Sequence, residues 1–427
     1  MHNIKNPLPF SLTSLEFLRE PQHQLERMRA EGSIIPVKMP FVGRIWVTTT
    51  YAATEQVMKG KYTFFLEGRS VGKTKIAGLP WWFPKSLNAI TENMLSKDEP
   101  DHRRLRKLVD LAFRRHSVLD MRSLVESRAE ALLDKIPTKE FDLNNNFARK
   151  LPLEIISDLL GVSEKYREIF AKEALHLTEN RLIFIPSIIL GMKRLIKMIR
   201  ELIADARQAP SEGLLKEMLD ARDEQEKLSE DELVSMVFLL LFAGMDTTRN
   251  LIAGSVWALQ NSPTQKDWLL ENFPERRESA VEELTRHVSS VGGTKPRYVG
   301  HDIEIEGQAL KKGEKIMALP VAANYDPLKF KNPEHLTLNR FPNPHLSFSA
   351  GIHFCLGLQL ARVEVQAALE VLYRRYPNLT CSPPSYLRRP GTRSIKKCLV
   401  LIDDRPHFGN SPNVIERYTK DDTIKEE

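Results

Sequence analysis

The sequence predicts a mainly α-helical protein with a smaller β part. Three observations carry this. A long apolar helix is announced by a capping box at Ser229-Glu230-Asp231-Glu232 and stopped at Asn261-Ser262-Pro263. Helical periodicity recurs on both sides of it, within residues 118–228, 274–289 and 358–372. Short β-rich runs bounded by glycine and proline stand nearer the ends, at 34–37, 45–48, 302–321 and 399–402.

With 427 residues, 42% hydrophobic and 28% charged, the chain has ordinary globular composition and fits one large domain. A net charge of +6 is too sparse for a nucleic-acid binder, so its placement matters more than its size. The three cysteines, Cys355, Cys381 and Cys398, form no CxxC pair, which excludes a zinc ribbon and a dithiol site. So few cysteines fit a reducing cytoplasm. Met1 to Glu20 show no signal-peptide core, and the longest apolar run, Val237 to Ala243, is far short of the ~20 residues of a membrane span. A soluble cytoplasmic protein without a membrane anchor is expected.

Taken in order, Leu15, Leu18, Leu25 and Met28 recur at helical spacing. Two strands joined by Pro40 to Gly43 follow, then a short helix from Tyr51 to Met58. Residues 64–97 are irregular and hold Phe64, Phe65, Leu79, Trp81, Trp82, Phe83 and Met94 among glycines and prolines. Such a loop either serves a site or packs its aromatics into the core. In the next helix His102 and Arg106 are four apart and share a face, where they can bind two anionic oxygens or belong to a solvated basic surface. Arg103, Arg104, Lys107, Arg114 and Arg115 make this segment strongly basic. Leu151 to Leu160 reads as a helix ended by Gly161. Ile183 to Ile199 is apolar enough to be a lid or core, and Arg222 to Asp231 reads as an exposed connection.

In the middle of the long helix stands Ala243-Gly244-Met245-Asp246-Thr247-Thr248. The small residues let a flat group or a diatomic approach. Thr247 can bond a carbonyl one turn back. An acid beside an alcohol in an apolar helix is costly unless paired, and fits a proton relay to a reduced oxygen species better than a core. A helix from Pro274 to Ser289 carries Glu283 and Arg286 at i and i+3. Gly292 and Gly293 are expected to leave room ahead of Arg297. Leu399 to Ile402 is a last strand, and the polar residues after 405 read as a mobile tail.

Phe348-Ser349-Ala350-Gly351-Ile352-His353-Phe354-Cys355-Leu356-Gly357 places a cysteine in a glycine-punctuated turn before a helix. The helix N-terminus favours thiolate there. Gly351 lets the chain turn and Gly357 lets a flat group approach. A thiolate from such a loop is one way to hold haem iron, and a buried structural cysteine is the other reading.

The spacing Phe348, Gly351, His353, Cys355, Gly357 resembles the haem-binding signature of the cytochrome P-450 family. Three further stretches resemble its motifs in order: Asp98 to Arg106, Ala243 to Thr248, and Glu283 with Arg286. The likeness runs over about residues 10–405. It implies one haem-thiolate monooxygenase domain over 1–405, with haem b (iron protoporphyrin IX) between the long helix and the cysteine loop. Cys355 is then the axial iron ligand, and Phe348 packs against the thiolate. His102, Arg106, Arg297 and His353 hold propionates. Asp246 and Thr247 relay protons to oxygen, and Arg340 completes the Glu283–Arg286 network. Leu336 and Asn339 depart from the family pattern beside Arg340. Residues 64–97 cap the substrate pocket, giving Trp81, Trp82, Phe83, Phe242, Ala243 and Val291 as pocket candidates.

The implied reaction inserts one atom of O2 into a hydrophobic small molecule of terpenoid, steroid, fatty-acid or polyketide type. No GxGxxG fingerprint follows a strand, so electrons come from a separate ferredoxin-type donor, drawn to the basic surface near His102. The rival readings are a gas-sensing or gas-carrying haem protein, and a peroxygenase or isomerase on the same fold. Neither needs Asp246 and Thr247 together.

Overall fold

The helix Glu230–Gln260 crosses the molecule, about 45 Å long at 1.5 Å per residue. The structure, a computed structural model, describes residues 6–40, 42–73, 76, 84–90, 92–115, 121–136, 139–179, 185–209, 212–225 and 228–402. At the start of this central helix Ser229 Oγ accepts from Glu232 N (3.1 Å) and Glu232 Oε2 accepts from Ser229 N (2.8 Å), so the capping box closes in both directions. By length and apolar composition the helix could cross a membrane, but most of it is buried inside the protein, as a core helix is.

Around it pack the helices Lys150–Leu160, Ile185–Gln208, Phe273–Val288 and Leu358–Arg375, and the 3-10 turn Lys85–Ile90. Leu358–Arg375 also lies on Arg122–Leu133. Together they enclose the main apolar core, which includes Leu105, Phe147, Ile252, Leu284 and Leu369. The β part is a five-stranded sheet in the order Ile34–Met39, Gly43–Thr48, Lys315–Met317, Arg297–Val299, Phe64–Phe65. Its first pair is antiparallel, with Ile34 opposite Thr48 and Met39 opposite Gly43. Separate apolar clusters cover the sheet's two sides, Phe330 and Val299 in one, Phe17 and Tyr325 in the other. The sheet matters for function because Arg297 is delivered from it.

Several boundaries differ from the sequence reading. The N-terminal helix is two, Leu15–Arg19 and Pro21–Glu31, because Pro21 cannot continue a helix but starts one well. The run 316–321 is not one strand: it ends at Met317, and Pro320 opens the short helix Pro320–Asn324. The connection read at 222–231 is shorter, since the helix Leu214–Gln225 runs into its start and the helix Glu230–Gln260 takes its end, and Leu228 between them is buried. Of the apolar segment at 183–199, the part from Ile185 on is the start of a longer helix, Ile185–Gln208, and Ile183 and Phe184 lie outside the described residues. Trp81, Trp82, Phe83 and the segment after 402 lie outside the described residues.

Removing the cap by Ser229→Ala is expected to cost about 1 kcal/mol. A chemical-denaturation midpoint lowered by that amount supports the capping role, and an unchanged midpoint removes it.

Candidate functional site

One cavity of about 870 Å³ lies between the central helix and the loop Phe348–Gly357. Its apolar wall comes from Phe238, Phe242 and Ala243 of the central helix, Ile188, Ile189 and Met192 of Ile185–Gln208, and Val291. Phe238 and Phe242 stack at 5.6 Å. So Phe242, Ala243 and Val291 line the space, and the apolar helix contributes wall as well as core.

The cysteine loop is held by its own backbone. Cys355 N donates to Phe348 O (2.9 Å), closing the turn. Gly351 sits at φ 72°, and a Cβ there would stand 2.7 Å from Met58 O, so only glycine fits. A Cβ at Gly357 would meet nothing within 4 Å, because that position opens on the cavity. The helix N-terminus does not by itself set the thiol. Burial pushes Cys355 up, while the Gly357 N–H, Arg106 and Arg362 pull it down. The ring of Phe348 lies against His345 (5.5 Å between centroids) and under the Arg362 guanidinium (5.6 Å).

At one edge of the cavity four predicted residues converge. The rings of His102 and His353 meet edge to face at 4.6 Å. Both imidazoles are driven toward the neutral form, first by burial and then by nearby guanidinium charge, His353 down to about 2. His102 Nδ1 is buried without a hydrogen-bond partner. Arg106 does more than face the cavity: one of its nitrogens donates to Ile352 O (3.0 Å) and Phe354 O (2.7 Å), tying its helix to the cysteine loop. Arg297 donates to Val57 O (3.0 Å) and Met58 O (3.2 Å), and burial lowers it to about 10.

On the opposite wall, Thr247 Oγ1 donates to Ala243 O (2.8 Å), which leaves its lone pairs toward the cavity it lines. Asp246 is 3% exposed and is not a bare acid. Its Oδ1 lies 2.8 Å from an Arg249 nitrogen and its Oδ2 lies 3.5 Å from Arg389. The sequence reading missed both arginines. Arg249 had a visible signal, three residues on along the same helix; Arg389 had none, being 143 residues away. Gly244 serves packing: a Cβ there would come within 3.1 Å of Ile156.

Glu283, Arg286 and Arg340 meet as a buried network. Arg286 grips both Glu283 oxygens at 2.8 Å, and Arg340 Nε reaches them at 3.1 and 3.0 Å. A second clamp was not foreseen: Glu282 accepts from Arg362 at 2.7 and 2.8 Å and lies 3.3 Å from His345, which together hold its carboxyl down to about 2 despite burial. The glycines at 292 and 293 do not open the pocket. Both N–H groups donate to Gly391 O (3.1 Å each), which draws the turn at 390–392 in as cavity wall, and a Cβ at Gly293 would crowd Met317 and Leu319 at 3.1–3.2 Å.

Within the basic segment, Arg104 turns toward Glu232, while Arg103, 3.2 Å from Glu99, and Lys107 are both exposed. The side chains of Arg114 and Arg115 lie outside the described residues.

The residues present fit a haem. Cys355 lines the cavity beside Gly357, where a Cβ would meet nothing within 4 Å, the His102 and His353 rings and two guanidinium groups border one edge, and the wall is largely apolar apart from the polar residues around Asp246 and Thr247 and near Lys295. Fold and site together define a haem-thiolate enzyme. The chain belongs to the cytochrome P450 family and is a P450 monooxygenase, an oxidoreductase whose family cofactor is haem b. The family profile, "Cytochrome P450", matches residues 277–391. The polyketide biosynthesis cytochrome P450 PksS of Bacillus subtilis (strain 168) is 36% identical over 375 residues, 87% of this chain and 89% of that one. The mycinamicin IV hydroxylase/epoxidase of Micromonospora griseorubida is 33% identical over 352 residues, 82% of this chain and 86% of that one. Among solved structures, myxobacterial cytochrome P450 CYP267B1 in complex with myristic acid superposes with TM-score 0.84 at 31% identity, covering 92% of this chain and 99% of that one.

Replacing Glu283 by Gln leaves Arg286 buried without its charge partner and is expected to cost about 3–5 kcal/mol. The denaturation midpoint and the haem-to-protein absorbance ratio should both fall. A variant of full stability and full haem content would overturn the structural role of the network.

Proposed function

We propose that the protein is a haem-thiolate monooxygenase of hydrophobic small molecules of polyketide or fatty-acid type, with Cys355 as the axial iron ligand. The observation that carries this is that Cys355 and Thr247 line one continuous apolar cavity from opposite walls. When bound, the haem supplies O2 activation, so that one oxygen atom enters the substrate and the other leaves as water. His102, Arg106, Arg297 and His353 hold the propionate edge. The two imidazoles are neutral there and act as hydrogen-bond partners, leaving the charge to the arginines.

Thr247 Oγ1 accepts a hydrogen bond from a protic group in the cavity while its own proton rests on Ala243 O. Asp246 lies one residue away, and its contact to the part-exposed Arg389 gives the protons a polar route from solvent. The apolar wall selects the substrate by desolvation rather than by a code of polar contacts. The relatives' printed activities and ligand, polyketide biosynthesis, mycinamicin IV oxidation and myristic acid, support the two substrate classes. A ferredoxin-type donor supplies electrons at the face where Lys107 and Phe354 are exposed beside the cysteine loop. With all three cysteines free, we place the protein in the cytoplasm.

The ferrous–CO spectrum tests the ligand: a strongly red-shifted Soret band is expected, and a band at the position given by histidine ligation would sink the Cys355 assignment. Thr247→Ala is expected to keep haem and substrate binding but to divert most reducing equivalents away from product. Product formed per NAD(P)H consumed, measured with a surrogate ferredoxin system, reads this out, and undiminished coupling counts against the relay.

A further inference from the structure

Lys295 is a cation with no assigned work. It stands in the extended segment before the strand Arg297–Val299, two residues ahead of Arg297, so both side chains leave the same side of the chain. Its Nζ donates to Ser96 Oγ (2.7 Å). Ser96 is itself buried, and its hydroxyl also lies 3.4 Å from Asn93 Oδ1, to which it can donate. Among the described residues no carboxylate is paired with Lys295, although an ammonium has three N–H groups to satisfy. The accessible surface of Lys295 opens on the cavity it lines, and surrounding protein lowers its pKa to about 8. It is close enough to His353 to add to the positive field on that ring.

An ammonium exposed on a cavity with N–H groups unfilled is stabilised by an anion that meets it there. Among the described residues none supplies a carboxylate paired with Lys295, which leaves an anion that enters the cavity as its partner. We propose that Lys295, steadied by Ser96, is a carboxylate-binding residue at the edge of the cavity. Two free N–H groups suit a monoanionic carboxylate better than a phosphate, which needs more donors. The carboxylate has two possible sources, a haem propionate or an acidic substrate. The inference therefore rests on the haem-cavity reading above and deepens its account of ligand chemistry.

The test uses the holoenzyme and Lys295→Met, which keeps the apolar stem and removes the charge. Two quantities are read: the rate of haem transfer to excess apomyoglobin, and the dissociation constants of hexadecanoic acid and its methyl ester from their Soret shifts. If the propionate is the partner, haem transfer speeds up about tenfold and both ligands keep their affinities. If a substrate carboxylate is the partner, the acid weakens about tenfold, the ester changes less than twofold, and haem transfer is unchanged. In either case Lys295→Arg restores the lost quantity. Both quantities unchanged in Lys295→Met overturns the proposal. Should the methionine destabilise the chain, Lys295→Gln keeps a donor, removes the charge and carries the same readouts. Failure of the haem-thiolate reading shows in the wild-type ferrous–CO band, whereas failure of this proposal shows only in the variants.

Discussion

Glu283 and Arg286 are sealed from water, and a pair of charges in that position is tolerable only if every remaining donor and acceptor is used. Here they are used widely. Glu283 also accepts from Arg340, Asn343 and the Thr337 N–H, and Arg286 also donates to the carbonyls of Asn324, Pro333 and His335. One helix thereby fixes the irregular stretch 324–343 that no sheet or helix of its own would hold. That stretch runs directly into Phe348. Glu282, the preceding residue, reaches both flanks of the loop, His345 before it and Arg362 after it. The position of Cys355 thus depends on two adjacent carboxylates set about 100° apart around one helix.

The opposite wall follows the same logic with a looser outcome. Asn250 donates to Asp246 O (2.7 Å) and accepts from Ile395 N (2.8 Å), so the strand Ser394–Lys397 is pinned to the central helix beside the acid. The turn carrying Arg389 and Gly391 is then held by the strand that Asn250 pins at Ile395 and by the N–H groups of Gly292 and Gly293 on Gly391. Asp246 is held between an arginine of its own helix and one from a distant turn that also lines the cavity.

Much of the site is legible in the chain because its geometry is local. His102 and Arg106, Glu283 and Arg286, Asp246 and Thr247, and the residues from Phe348 to Gly357 are each separated by a few positions on one element, where periodicity alone sets the neighbours. The misreadings share the opposite cause. Gly292 and Gly293 look like open space in sequence, yet their N–H groups bind a backbone that arrives from residue 391, and Met317 and Leu319 pack against Gly293. The strand at 315 stops two residues before Pro320 although β-rich residues continue, since a proline that suits a helix start outweighs weak β propensity.

The sequence by itself determined the helical class, the capped central helix, the cysteine turn and the order of the chemical motifs, because these rest on hydrogen bonds and spacings within single elements. Only the tertiary structure decided which charges meet. Arg389 on Asp246, Arg362 on Glu282 and Lys295 on Ser96 are contacts across 80 to 199 residues of chain. Burial then sets their strength, and burial is a property of the packed whole rather than of any segment.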